Sequence, residues 1–287
     1  MKHIAVINDL SGAGRCSLTI ALPVLSVMGI EASPLPTAVL SNHTGFPYTA
    51  SFDFTPEMEA FFKAWEQNGF HFDGVLIGYL ANPLQAEMIC RFIAHERAAN
   101  PDFCVILDPA MADNGHLYRN LPENQAEAMR LLFREADLSC PNLTEACLLG
   151  DFDYEGMKET MDSLESDAGR LMVLHSLFSE LSHMTGGTVL ITGIEDGENL
   201  INAVSEPGKD IYFVRARKSG GSRPGTGDLF SAVIAGAVFG GRSIRESTAE
   251  ACEFTREVIA HSEEVFPGNS RELLFEECLF RLLPESR

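Results

Sequence analysis

A chain of 287 residues with 45% hydrophobic content can fill at least one sizeable core. With 21 Lys and Arg against 41 Asp and Glu, the formal charge is −20, which opposes binding to nucleic acid or to anionic membrane surfaces, and no basic run offsets it. The longest apolar runs, such as Val75-Leu76-Ile77 and Val189-Leu190-Ile191, are strand-length, so no membrane span is expected.

The chain enters a strand-like run at once, Ile4–Asn8, with no long apolar stretch and cleavage site of a secretion signal. A helix over Ser17–Met28 follows, interrupted by Pro23, and then a strand over about Ala32–Leu40. Pro56–Asn68 is predicted helical with Thr55 as N-cap, Gly74–Ile77 is a strand, and Pro83–Ala99 is helical with Asn82 as N-cap. Strands at Cys104–Asp108 and Leu138–Cys140 flank a helix over Glu123–Glu135, and Leu143–Leu149 is a further short helix. Gly156–Thr185 reads as one or two helices. Strands at Val189–Thr192 and Ile211–Val214 and helices at Asp228–Phe239 and Ile244–Ser262 complete the chain. This alternation predicts parallel βαβ units in one open sheet covered on both faces. With no linker, repeat or low-complexity tract, residues 1–287 read as a single α/β domain. The seven cysteines (16, 90, 104, 140, 147, 252 and 278) are odd in number and form no CxxC pair. They read as reduced thiols of a cytoplasmic protein.

In open α/β sheets, ligands bind beyond the carboxyl ends of the strands. Polar residues stand at those places: Asp9 and Ser11, Ser41-Asn42-His43-Thr44-Gly45, Gly78-Tyr79, Asp108-Pro109, Pro141-Asn142 with Glu145, and Thr192-Gly193. Gly225-Thr226-Gly227-Asp228 opens a strongly apolar helix. Its glycines allow close backbone approach, and the free N–H groups of a helix start suit an anion such as a phosphoryl group. Asp228 there can serve as a general base or merely cap the helix. No G-x-x-x-x-G-K-[ST] loop is present. Gly12-Ala13-Gly14-Arg15-Cys16-Ser17 matches a dinucleotide fingerprint only in part, since Ser17 takes the third glycine's place. Arg215, Arg217, Lys218 and Arg223 could draw a nucleotide in or form a solvated loop.

The Gly225–Asp228 segment resembles the signature of the ribokinase-like superfamily, and Ser41–Gly45 resembles the substrate loop of its pyridoxal kinase branch. Gly78-Tyr79, Asp108-Pro109 with Asp113 and Tyr118 beyond, Pro141-Asn142-x-x-Glu145 and Thr192 follow in the order that family has. The likeness runs from Ile4 to the helix after Asp228. It implies a three-layer α/β/α sandwich with a mainly parallel central sheet. Two positions bear on the branch. Hydroxymethylpyrimidine kinases carry Cys where this chain has Asp228, yet Asp9-Leu10-Ser11-Gly12-Ala13-Gly14 is similar to their first loop, where pyridoxal kinases usually have Ser at the Asp9 position.

The resemblance implies ATP-dependent phosphorylation of the 5′-hydroxymethyl group of a B6 vitamer by a homodimer. Asp228 would be the base, and the Gly225, Thr226 and Gly227 amides would hold the phosphoryl group. Asp108 and Glu145, with Asn142, would organise Mg²⁺; a monovalent cation is an optional addition. Asp108, Asp113, Tyr118, Asn142, Glu145, Thr192, Thr226 and Gly227 would bind ATP. Asp9, Ser11, His43, Thr44, Tyr79 and Asp228 would face the vitamer. A carboxylate at Asp9 near the ring favours a protonated ring nitrogen or a cationic amine substituent, and pyridoxamine is expected to be used at least as well as pyridoxal. The alternatives are a hydroxymethylpyrimidine kinase and a vitamin-binding protein on the same fold without turnover.

Overall fold

The computed structural model describes residues 1–119, 121–221, 223–268 and 273–284. In chain order its elements are β1 (His3–Ala13), α1 (Leu18–Val27), β2 (Glu31–Asn42), β3 (Ser51–Asp53), α2 (Thr55–Gln67), β4 (Gly74–Ile77), α3 (Leu84–Ala99) and β5 (Cys104–Leu107). The hairpin β6 (Ala112–Asp113) and β7 (His116–Leu117), α4 (Gln125–Glu135), β8 (Leu138–Ser139), α5 (Leu143–Gly150), α6 (Tyr154–Asp162) and α7 (Asp167–Thr185) follow. The chain continues through β9 (Thr188–Asp196), β10 (Asn199–Ser205), β11 (Tyr212–Arg217), α8 (Thr226–Phe239), α9 (Ile244–Val265) and a 3₁₀ segment, Glu276–Leu282.

Nine strands form one sheet in the order β11-β10-β9-β8-β5-β4-β1-β2-β3. From β2 to β9 the pairing is parallel; β3 joins β2 antiparallel, and β10 is antiparallel to both β9 and β11. Because both faces are covered, the central strands are apolar at every position, and alternate side chains enter different cores. Ala5, Ile7, Val75, Ile77, Val105 and Leu107 pack under α2 to α7. Ile4, Val6, Leu76 and Ile106 pack under α1, α8 and α9. The molecule is the expected three-layer α/β/α sandwich.

The sheet is wider than the sequence reading predicts, since β3, β10 and the hairpin β6–β7 were not anticipated. The Gly156–Thr185 stretch resolves into α6 and α7, separated by Ser163 to Ser166. Pro23 lies inside α1 without ending it. Thr55 is not the cap of α2 but its first helical residue, and Asp53 Oδ1 accepts its N–H at 2.8 Å. At α3, Pro83 holds the cap position while Asn82 Oδ1 accepts from Leu84 N–H at 3.0 Å. All seven cysteines are free thiols. Among the described residues, no helix is long and apolar enough to cross a membrane.

Strand β1 is where chain direction across the sheet reverses. The crossover through α1 leads to β2 on one side, and the next one leads to β4 on the other. Such a switch point opens a crevice at the strands' carboxyl ends. Here β1 and β2 also slip: Asn8 pairs with Pro36, but Leu10 pairs with Val39, so Asp9 lies opposite an extra residue in β2, a bulge at Thr37 and Ala38. Bulges re-aim side chains, and this one lies at the crevice floor.

Candidate active site

The Asp228 carboxylate stands in the first turn of α8, beside the crevice end of β1. It accepts from Asn8 Nδ2 at 3.3 Å, and the nearby Ser17 backbone N–H favours its charged form. Burial, then the nearby Asp108 and Asp9 carboxylates, push its pKa up from 3.8 to about 7. A carboxyl poised there is matched to general-base work near neutrality. Asp9 is buried, with its pKa raised by desolvation against the hydroxyls of Ser11 and Ser17, which donate to its two oxygens. Ser11 has no exposed surface at all, so it sits behind Asp9 as support, away from the crevice surface.

The turn that presents Asp228 depends on Gly225, whose φ is +85°. A Cβ there would lie 2.2 Å from the Arg15 carbonyl oxygen and 2.8 Å from Ile20 Cδ1. A Cβ on Gly227 meets nothing within 4 Å. Gly225→Ala is therefore expected to cost about 1–3 kcal/mol in backbone strain alone, with a lower Tm, whereas Gly227→Ala leaves Tm near native. Parallel thermal melts of the two variants check this. Thr226 N–H is turned onto the Arg223 carbonyl (3.3 Å), and its hydroxyl donates to the same oxygen (2.7 Å). The N–H groups of Gly227 and Asp228, in the first turn of α8, have no carbonyl four residues back within the helix, which leaves them as the donors an anion there would meet.

On the far side of the crevice, Asp108 follows β5 and Glu145 lies in the first turn of α5. Asn142 and Glu145 form a reciprocal capping box: Asn142 Oδ1 accepts from Glu145 N–H and Glu145 Oε2 from Asn142 N–H, each at 2.9 Å. Glu145 Oε1 also takes the Met111 and Ala112 N–H groups at 3.1 and 3.4 Å, and Asn142 Nδ2 donates to the Ala112 carbonyl at 2.8 Å. Burial, and then Asp108, hold Glu145 well above the usual carboxylate range. Burial raises Asp108 to about 6, with the nearby Ser231 hydroxyl acting in the opposite direction. Two buried carboxyls, one of which raises the other, suit a cation nearby. No cluster of three or more metal-ligating side chains occurs among the described residues. The pair therefore fits Mg²⁺ held with nucleotide phosphates, which is how that ion is usually bound, and does not fit a closed protein cage.

Tyr118 reaches the same space, its hydroxyl pushed up by burial and by Glu145, Asp108 and Asp228. Thr192 pairs with Asn142 in an isolated parallel bridge. Asp113 is exposed, and its carboxylate turns back onto the Asn114 amide (2.9 Å). Toward the other end of the crevice, Tyr79 is raised to about 12 by burial, then Asp9 and Asp53. His43 is buried, accepts from Gly45 N–H at its Nδ1 (3.1 Å) and packs on Phe46 with ring centroids 4.5 Å apart. Thr44 is exposed at the loop tip. The cations Arg215, Arg217, Lys218 and Arg223 are paired with Asp167 and Asp196, Glu198, Glu195 and Glu263 respectively, so their charge is spent within the protein. Asn8 escaped the sequence reading. A polar residue ending an apolar strand gives no sign that its side chain will cross to α8.

The family model for phosphomethylpyrimidine kinase matches residues 57–271. The chain belongs to the phosphomethylpyrimidine kinase family. A Bacteroides thetaiotaomicron protein described provisionally as a phosphomethylpyrimidine kinase superposes with a TM-score of 0.87 at 33% identity, covering 100% of this chain and 95% of that one. A second crystal form of that protein, with pyridoxal, gives 0.86 at 32% identity, covering 100% and 97%. The pyridoxal kinase of Lactobacillus plantarum gives 0.85 at 27% identity, covering 99% and 97%. Among curated sequences, the pyridoxine/pyridoxal/pyridoxamine kinase of Bordetella avium is 26% identical over 253 residues, 86% of this chain and 81% of the relative.

Proposed function

We propose that this member of the phosphomethylpyrimidine kinase family transfers the γ-phosphoryl group of ATP to the 5′-hydroxymethyl group of a B6 vitamer, giving the 5′-phosphate. The observation that carries the mechanism is the Asp228 carboxylate, raised to about 7 and placed beside the donor N–H groups that open α8. Asp228 takes the proton of the substrate hydroxyl as its oxygen attacks phosphorus. The Gly227 and Asp228 N–H groups, with the dipole of α8, stabilise charge on the phosphoryl oxygens. Asp108 would hold Mg²⁺ directly and Glu145 through water, since the Glu145 oxygens already accept three N–H groups. The ion neutralises phosphate charge when bound. Tyr118, Asn142 and Thr192 line the nucleotide side, with Asp113 at its rim; Asp9, Tyr79, His43 and Thr44 surround the vitamer.

The acid at 228 and the pyridoxal kinases among the relatives favour a B6 vitamer over hydroxymethylpyrimidine. Asp228 beside a paired Asp108 and Glu145 disfavours a binder without turnover. We infer a cytoplasmic homodimer: the thiols are free, and Leu10, Val39 and Phe52 form an exposed apolar row across β1, β2 and β3. ADP release measured with pyridoxal, pyridoxine, pyridoxamine and hydroxymethylpyrimidine tests the reading. Turnover is expected with the three B6 alcohols, with pyridoxamine at least equal to pyridoxal, and Asp9→Ser is expected to lower the pyridoxamine-to-pyridoxal ratio of kcat/KM. Turnover of hydroxymethylpyrimidine alone would reverse the assignment.

A further inference from the structure

Asn8 is a buried residue, 6% exposed, at the point where β1 meets the crevice. Its Oδ1 accepts from the Asp9 and Tyr79 backbone N–H groups, both at 2.9 Å, and its Nδ2 donates to Asp228 Oδ1 at 3.3 Å. Three segments far apart in sequence therefore converge on one amide: β1, the turn after β4 and the first turn of α8. The orientation of that amide is not arbitrary. Two backbone donors require the oxygen on their side, which leaves only the nitrogen to face Asp228. Its place is also sterically reserved, because a Cβ on Gly78 would lie 2.4 Å from Asn8 Nδ2.

The Ser17 amide, whose N–H favours charge on Asp228, is also constrained. Ser17 carries φ 53° and ψ −129°, a conformation that costs a residue with a Cβ and persists only where its surroundings fix it. Its hydroxyl is committed to Asp9, and its carbonyl accepts the Ile20 and Ala21 N–H groups at 3.1 and 2.9 Å. What remains is its N–H, turned toward Asp228. These donors work against repulsion, since Asp9 on β1 and Asp108 after β5 both oppose charge on Asp228. An unanchored carboxylate would swing toward water.

We propose that Asn8 is a positioning residue for phosphoryl transfer, holding the Asp228 carboxylate, with the Ser17 amide, in the orientation from which it meets the substrate hydroxyl. The proposal rests on the kinase reading for its consequence but not for its geometry. Asn8→Asp separates the two roles of the side chain: it keeps an oxygen for the Asp9 and Tyr79 amides and sets a carboxyl oxygen in place of the donor to Asp228. Misplacement of a reacting group costs about 10²-fold, so kcat is expected to fall by that order while KM for ATP and vitamer stays within about threefold. Asn8→Ser, which shortens the side chain without adding charge, is expected to lose kcat in the same way. A clamp with a purely structural role would leave Asn8→Asp close to native; more than half the native kcat in that variant overturns the proposal. Crystal structures of the native protein and Asn8→Asp supply an arm free of turnover. The Asp228 carboxylate is expected to leave its native orientation in the variant, and an unchanged orientation overturns the proposal. Inactivity of the native protein on every B6 vitamer would sink the kinase reading alone.

Discussion

Replacing Asp228 by asparagine is expected to lower kcat by about 10²–10⁴-fold, the usual span for loss of a positioned general base. Asn preserves size and can still accept from Asn8, so the fold and the first turn of α8 should persist. What disappears is a group able to take the proton from the attacking alcohol. KM for ATP should change little, because the phosphate donors at the head of α8 are backbone groups. Steady-state ADP release at saturating pyridoxal reads the effect, and a variant retaining more than about a tenth of the native rate contradicts the assignment.

The same residue sets a pH dependence. Asp228 must be ionised to act, and burial together with Asp108 and Asp9 lifts its pKa to about 7. In the free enzyme, kcat/KM is therefore expected to rise with pH up to about 7 and to level off above it. Asp228→Asn should leave only a weak residual rate without that limb.

Much of this arrangement is legible in the residues, and the exceptions have physical reasons. The central strands declare themselves because burial on both faces makes runs such as Gly74–Ile77 wholly apolar, and polar residues at their carboxyl ends then mark the crevice. The hairpins carried a signal that patterning by alternation passes over: Asn114-Gly115, both at positive φ, turns β6 into β7, and Gly197 opens the two-residue loop from β9 to β10. Strand β3 carried none, since Ser51, Phe52 and Asp53 are all exposed and only pairing with β2 makes them a strand. The acidic residues of the crevice could be found one by one, but not their mutual influence. That Ser11 backs Asp9, that the Glu145 oxygens are occupied by backbone, and that Asn8 touches Asp228 are facts of three-dimensional convergence. For the cations before Gly225 the sequence leaves open a nucleotide-attracting role or a solvated loop, and only the fold shows them paired with carboxylates from α7, β9 and α9 and the turn after β9.

The crowding of carboxyls leads to an opposite pair of effects from one substitution. Asp108→Asn is expected to reduce kcat on the order of 10²-fold, as loss of a charged group that organises the transferring phosphate does, and at the same time to stabilise the nucleotide-free protein. The folded-state pKa values of Asp108 and Asp228 lie at about 6 and about 7, against an ordinary 3.8. Folding thus favours the protonated forms, and the stability these groups supply is complete below about pH 4 and is lost as pH climbs through 6 and 7. Glu145 contributes in the same direction, held high by burial and by Asp108. At pH 7.5 the native crevice carries charges that repel one another, and an uncharged amide at 108 relieves both Glu145 and Asp228. Tm at that pH is accordingly expected to rise by about 2–6 °C, with the gain shrinking toward pH 5, where Asp108 is already largely protonated. Mg²⁺ and ADP should raise the native Tm more than that of the variant, because the cation they bring compensates a charge the variant lacks. Melting curves at pH 5 and 7.5, with and without Mg²⁺ and ADP, decide the matter. A variant less stable than native at pH 7.5 would show that Asp108 is held by attraction within the protein, and that the crevice is not built around a missing positive charge.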